Sequence, residues 1–433
     1  MNISVFWFRR DLRLNDNTGL YQALSEEKNV LPLFIFDQQI LDKLDDKFDK
    51  RVDFIHQTIK SIKDKLEKDG SSLIVKYGQP EKIFQELINE YKINAVYTNH
   101  DYEPYAIDRD NKIKLLLAEK NIKFNTFKDQ VIFEKDEVLS QTNKPYTVYT
   151  PYKNKWREKF YNTIIKEYPS EERMDKFIKI KPLPFVELKD MGFNETNTKF
   201  PSTQLNEEIV KEYDKYRDFP AKENISRMSV HLRFGTVSIR ELVKKADKLN
   251  QTWLNELIWR EFFMTIIYNH PNVVTESFRT EYDKIKWLNN IDDFKKWCEG
   301  KTGYPIVDAG MRELNQTGYM HNRVRLVTAS FLTKHLLIDW RWGEKYFAKK
   351  LLDYELSSNN GNWQWCAGTG CDAAPYFRVF NPQTQTERFD PKMEYIQKWV
   401  TEYNTKSYPH PMVEHKFARE RALNAFKEAL GKS

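Results

Sequence analysis

The chain has 433 residues, 40% hydrophobic and 30% charged, with a formal net charge of +6. That is enough apolar material for real cores, so global disorder is excluded, and the mild basicity permits a nucleic-acid partner without demanding one. No apolar run reaches the roughly 18 residues a transmembrane helix needs, and the three cysteines Cys298, Cys366 and Cys371 form neither a disulfide framework nor a metal-ligand spacing.

A reduced, cytoplasmic protein without a structural metal is therefore expected. The first residues, MNISVFWFRRDLRLND, place charges directly after a short apolar run, which is not the order of a signal peptide.

Residues 1–130 read as alternating strands and helices. Compact apolar runs (ISVFWF, VLPLFIF, SSLIVKYG, INAVYTNH, IKFNTFKD) are separated by amphipathic stretches such as FDKRVDFIHQTIKSIKDKLEKDG. The alternation predicts an α/β domain with a parallel sheet, Rossmann-like in build. No GxGxxG or GxxxxGK[ST] follows a strand, so the usual phosphate-cradling loops are missing.

Residues 131–200 are polar and proline-spaced and predict a connector with a helix near PYKNKWREKFYNTI. From 201 to 433 helical periodicity dominates, as in TWLNELIWREFFMTIIYNH and RWGEKYFAKKLLDYEL, and predicts an all-α second domain.

Within that domain, Glu256, Trp259 and Arg260 share a helical face. They read either as a surface ion pair beside a core tryptophan or as a polar cavity with a stacking platform. Asn322, Arg325 and Leu326 share another face, and Asp353 is an available partner for Arg325. Ser226 and Ser229 stand where a helix starts, a place that caps or binds anions. The stretch GNWQWCAGTGCDAAPYFRVFNP, with two tryptophans a residue apart, is poor material for an amphipathic helix and suits the wall of a cavity.

In order and spacing, WFRRDLRLNDN, YRDFP, SRMS, ELIWREF, GYPIVDAGMRELNQTGYMHNRVR, LLIDWRWGEKYF and NNGNWQWCAGTGCDAAPYFRVFNPQTQ resemble the DNA photolyase and cryptochrome family. The likeness spans the whole chain and is strongest to cyclobutane pyrimidine dimer photolyases. It implies FAD bound in the helical domain and light-driven repair of pyrimidine dimers in UV-damaged DNA by a monomer, with a blue-light photoreceptor lacking repair as the alternative.

The resemblance also assigns roles to residues. Tyr213, Ile225, Ser226, Arg227, Met228 and Ser229 would follow the phosphates and ribityl chain of FAD, with Ile225 replacing the family's threonine. Arg325 and Asp353 would pair beside the isoalloxazine, followed by Tyr354 and by Glu355 in place of an aspartate. Asn359 would sit at flavin N5, and Trp363, Trp340 and Trp287 would relay electrons to the surface. Glu256, Trp259, Asn322 and Trp365 would line the lesion cavity, and Arg217, Arg260, Arg323, Arg378 and Gln385 would contact DNA.

Asn322 where six-four photolyases carry histidine favours the cyclobutane lesion, while Leu326 replaces the usual methionine. A folate or deazaflavin antenna is implied in the first domain, with Glu103 as its contact. The short end of the chain, RERALNAFKEALGKS, lacks the long tail common in cryptochromes.

Overall fold

The computed structural model describes residues 2–431. They form two units, each discontinuous in sequence. One takes residues up to 137, 157–205 and 227–248; the other takes 138–156, 206–226 and the chain from 249 onward.

The first unit is built on a five-stranded sheet in the order β3-β2-β1-β4-β5. Its strands are β1 (Asn2–Phe8), β2 (Val30–Asp37), β3 (Ile74–Gly78), β4 (Lys92–Asn99) and β5 (Lys123–Phe127). Every pairing is parallel, with Ser4 opposite Val30 and Val5 opposite Val96. β2 is buried along its whole length, which is why it reads as a continuous apolar run: both faces of a parallel sheet are covered.

The covering helices are α1 (Thr18–Glu26), α2 (Lys50–Lys68), α3 (Pro80–Glu90) and α4 (Pro104–Glu119). Local chemistry sets their starts. Asn17 and Asp49 accept hydrogen bonds from the first turns of α1 and α2, and proline opens α3 and α4, where a missing N–H costs nothing.

Strand order reverses between β1 and β4, the place where open α/β sheets usually offer a crevice. The residues that follow these two strands pair with one another. Arg10 binds Asp101 at 3.2 Å and Glu103 at 2.9 Å, Arg233 binds Glu103 at 2.8 Å, and Arg9 pairs with Asp110. Burial works against the charge of Asp101, but Arg10, Arg9 and Arg233 hold its carboxyl well below the usual range. Glu103, the expected antenna contact, is thus committed to two guanidinium groups.

The linear boundaries at 130 and 200 do not coincide with the two units. The stretch after α5 (Tyr149–Tyr161) returns to the sheet, where Ile178 N–H donates to the Val30 carbonyl at 3.0 Å and Ile180 N–H to that of Gly70 at 3.1 Å. Backbone hydrogen bonds, invisible in composition, draw this polar segment into the first unit.

Among the described residues every strand precedes residue 128. The second unit is helical. Its principal members are α6 (Gln251–Asn269), α7 (Pro305–Thr317), α8 (Asn322–Ser330), α9 (Trp340–Lys350), α10 (Leu356–Ala367), α11 (Pro382–Phe389) and α12 (His415–Ala429).

Two glycines let α10 approach its neighbours at backbone distance. A Cβ on Gly343 of α9 would lie 2.1 Å from the Trp363 indole, and one on Gly361 of α10 would lie 2.2 Å from the Phe263 ring on α6. Trp340, Phe347, Val327, Phe331 and Trp363 belong to the apolar core around these contacts. No described helix is long and apolar enough to cross a membrane, and the described residues hold no cluster of three or more metal-ligating side chains.

Candidate functional site: a cavity walled by three helices

A cavity in the helical unit is lined from α8 by Asn322, Arg325, Leu326 and Ala329, from α9 by Phe347, and from α10 by Ser358, Asn359, Asn362, Trp363 and Cys366. Leu351, Asp353, Tyr354 and Glu355, between α9 and α10, complete the lining. Sequence reading had named Asn322, Arg325, Asp353, Tyr354, Glu355, Asn359 and Trp363, and the fold brings all seven to this one cavity.

Arg325 reaches both carboxylate oxygens of Asp353, at 2.9 and 3.1 Å, and donates from Nε to the Met320 carbonyl at 2.7 Å. Burial works against the guanidinium charge, and Asp353 counters it. Both contacts come from the one Nη2 atom, a charge-assisted bond shared between the two oxygens, and the Nε bond fixes the arginine at a second point.

Asn359 projects from α10 toward α9. Its Nδ2 donates to the Glu344 backbone carbonyl at 3.1 Å and to the Glu344 carboxylate at 2.9 Å. A backbone carbonyl only accepts, so the NH₂ end must face Glu344. The amide oxygen remains to accept from whatever occupies the cavity. Burial pushes the Glu344 carboxyl up, and the bond from Asn359 partly offsets this.

Glu355 accepts from Arg260 Nη2 at 3.0 Å and from the Ser358 hydroxyl at 3.0 Å. This corrects the placement of Arg260 at a DNA rim: its side chain is only 10% exposed and serves a buried ion pair. The longer glutamate at 355 supplies the reach.

The three tryptophans expected to relay electrons differ in burial. Trp363 and Trp340 are 2% and 1% exposed, whereas Trp287 is half-buried and packs against the same apolar cluster. Trp363 meets Phe347 edge-on at 4.9 Å and Trp297 at 6.1 Å. The buried Trp340 Nε1–H has no hydrogen-bond partner. Trp365, two residues beyond Trp363, is half-buried and packs against the same cluster.

On α6, Glu256 pairs with Arg217 at 2.5 Å, and the Arg217 guanidinium stands 5.1 Å from the centre of the Tyr213 ring. Burial pushes the Glu256 carboxyl up against the opposing pull of Arg217. Trp259, one turn on, is half-buried and stacked face to face with Tyr149. Arg323 pairs with Asp218 at 2.7 Å. Asn322 and Arg378 are exposed, and the buried Gln385 Oε1 has no partner.

The expected phosphate segment is divided between the units after Ser226. Ser226 Oγ accepts from the Trp253 indole at 3.3 Å, Arg227 adopts a left-handed φ of 52°, Met228 is buried, and Ser229 opens a six-residue helix. Ile225 is half-buried.

Two residues escaped the sequence reading. Glu344 lies inside RWGEKYF, four residues after Trp340, and that spacing on a helix was the signal that could have exposed it. Tyr149 lies in the polar segment before α6, where no periodicity points to a tryptophan 110 positions later.

The cavity fits a flavin. It offers a fixed guanidinium–carboxylate pair, an amide whose NH₂ end is held by Glu344, and apolar walls from Leu326, Phe347 and Trp363. Comparison with known proteins points the same way. Residues 253–406 match the FAD binding domain of DNA photolyase, and residues 4–172 match DNA photolyase. The chain is 35% identical to the deoxyribodipyrimidine photo-lyase of Escherichia coli, with 99% of each chain covered.

Among solved structures, a class III photolyase from Agrobacterium tumefaciens gives a TM-score of 0.87 at 31% identity, covering 100% of this chain and 98% of that one. A cryptochrome from Synechocystis gives 0.85 at 25% identity, covering 98% and 99%.

Proposed function

We propose, from the premise that the chain belongs to the DNA photolyase family and carries its FAD-binding domain, that it splits cyclobutane pyrimidine dimers in DNA under light. When bound, reduced FAD supplies the light-driven electron transfer that this chemistry requires.

The observation that carries the reading is the locked amide of Asn359. An amide oxygen accepts a hydrogen bond from N5–H of reduced flavin but has no proton to deliver. It therefore suits a cofactor kept fully reduced, the form that repair uses, and disfavours the protonation change a photoreceptor exploits. Arg325 and Asp353 would hold the isoalloxazine, while Leu326, Phe347 and Trp363 exclude water from it.

Glu256, Trp259, Asn322 and Trp365 would receive the lesion. Photolyases extrude the damaged nucleotides from the duplex, and indole faces then stabilise each base by roughly 1–3 kcal/mol. Glu256, its carboxyl held up by burial, would donate a hydrogen bond to a pyrimidine carbonyl. Arg217, Arg323, Arg378 and Gln385 would position the strand, bringing affinity and salt dependence rather than sequence preference.

The test is blue-light illumination of the reduced holoprotein with oligonucleotides carrying cyclobutane or six-four lesions, followed by product analysis. Restored thymines from the cyclobutane substrate alone are expected. No restoration from either would overturn the repair reading in favour of a photoreceptor.

A further inference from the structure

Three rings pack on Trp259: Phe263 lies tilted at 5.4 Å, Phe262 lies edge-on at 5.7 Å, and Tyr149 covers one face of the indole. The Tyr149 ring lies flat against it, centroids 3.5 Å apart and planes 8° apart. Tyr149 is itself fixed at both ends. Its hydroxyl donates to the Asn255 carbonyl at 2.9 Å, one turn before Trp259 on α6. Its backbone N–H donates to the Asp372 carboxylate at 3.0 Å, in the loop after α10. The residue is only 6% exposed. The phenol is thus tied at its tip to the helix that carries the indole and at its root to the loop that carries Arg378.

We infer that Tyr149 is a positioning residue for the lesion: it sets the plane of the Trp259 indole against which a damaged base would rest. The inference rests on the repair reading of this site. A half-buried indole without a backing ring must be ordered when the base arrives, and that ordering weakens binding. Here the order exists beforehand.

The test uses holoprotein in the dark, with a dimer-containing oligonucleotide and its undamaged counterpart. Tyr149→Ala should weaken dimer binding about tenfold, leaving flavin content and undamaged-DNA binding unchanged. Tyr149→Phe keeps the ring and should stay within about twofold of wild type. Unchanged dimer binding in Tyr149→Ala would overturn the inference, as would parallel loss of flavin and of binding to both DNAs, which marks a purely structural role. Where Tyr149→Ala does not fold, Tyr149→Leu replaces it, filling the space without a π face.

Should wild type itself fail to prefer the dimer, the repair reading falls. The near-ultraviolet circular dichroism of the free protein then decides for Tyr149. A signal altered by removing the ring and kept by Tyr149→Phe supports orientation of Trp259, and identical spectra refute it.

Discussion

Asn359 and Glu344 are joined by two hydrogen bonds from a single amide nitrogen, one to a backbone carbonyl and one to a carboxylate. The carboxylate bond can be removed by mutation without touching the cavity lining, because Glu344 is not part of that lining. Glu344→Ala leaves the backbone bond alone to hold the amide. A net loss of about 1 kcal/mol, the usual worth of such a bond, predicts a repair yield lowered several-fold at unchanged flavin content. Product yield per absorbed photon and flavin absorbance check this together, and an unaltered yield would show that the backbone carbonyl suffices.

Trp363→Phe should strongly slow photoreduction of oxidised flavin and leave repair by chemically pre-reduced protein largely intact. Transient absorption and a repair assay on the same preparation separate the two. Equal loss of both would remove Trp363 from the relay.

The pH response follows from Glu256. Burial raises its carboxyl from the ordinary value, against the pull of Arg217, so the neutral acid persists to higher pH than in water. The neutral acid is the form that donates. Repair yield should therefore fall as pH rises through the raised value, and Glu256→Gln, which keeps a donor but cannot titrate, should flatten the profile. A wild-type yield that rises over that interval would contradict the donor role.

Gly343→Ala would place a methyl 2.1 Å from the Trp363 ring. Overpacking of this kind costs about 1–3 kcal/mol, so a melting temperature lower by several degrees is expected, with faster flavin release. Differential scanning calorimetry and flavin fluorescence report both.

Much of the site was legible because it rests on local pattern. Five apolar runs became the five strands, whereas Asn322, assigned to the lesion, and Trp363, assigned to the relay, line the same cavity as Arg325, Asp353 and Asn359, assigned to the flavin. What escaped depends on partners far apart in sequence. Arg260 read as a contact to DNA, yet it pairs with Glu355, 95 positions away. The polar segment 131–200 looked like a linker, because hydrogen bonds to Val30 and Gly70 leave no trace in hydropathy. Tyr149 had no helical repeat to betray its stacking on Trp259.

Close approach on two flanks gives α10 the character of a ruler. Gly343 and Gly361 bring it to backbone distance from two other helices, and along its length it carries Asn359, Trp363 and Trp365 at fixed intervals of rise. Electron tunnelling falls steeply with separation, and on the proposed reading the route in through Trp363 and the hand-off toward Trp365 are graduated on the same rod. A displacement of that rod would alter both rates together, so evolution or a designer wishing to tune one of them must change side chains and leave the helix where it is.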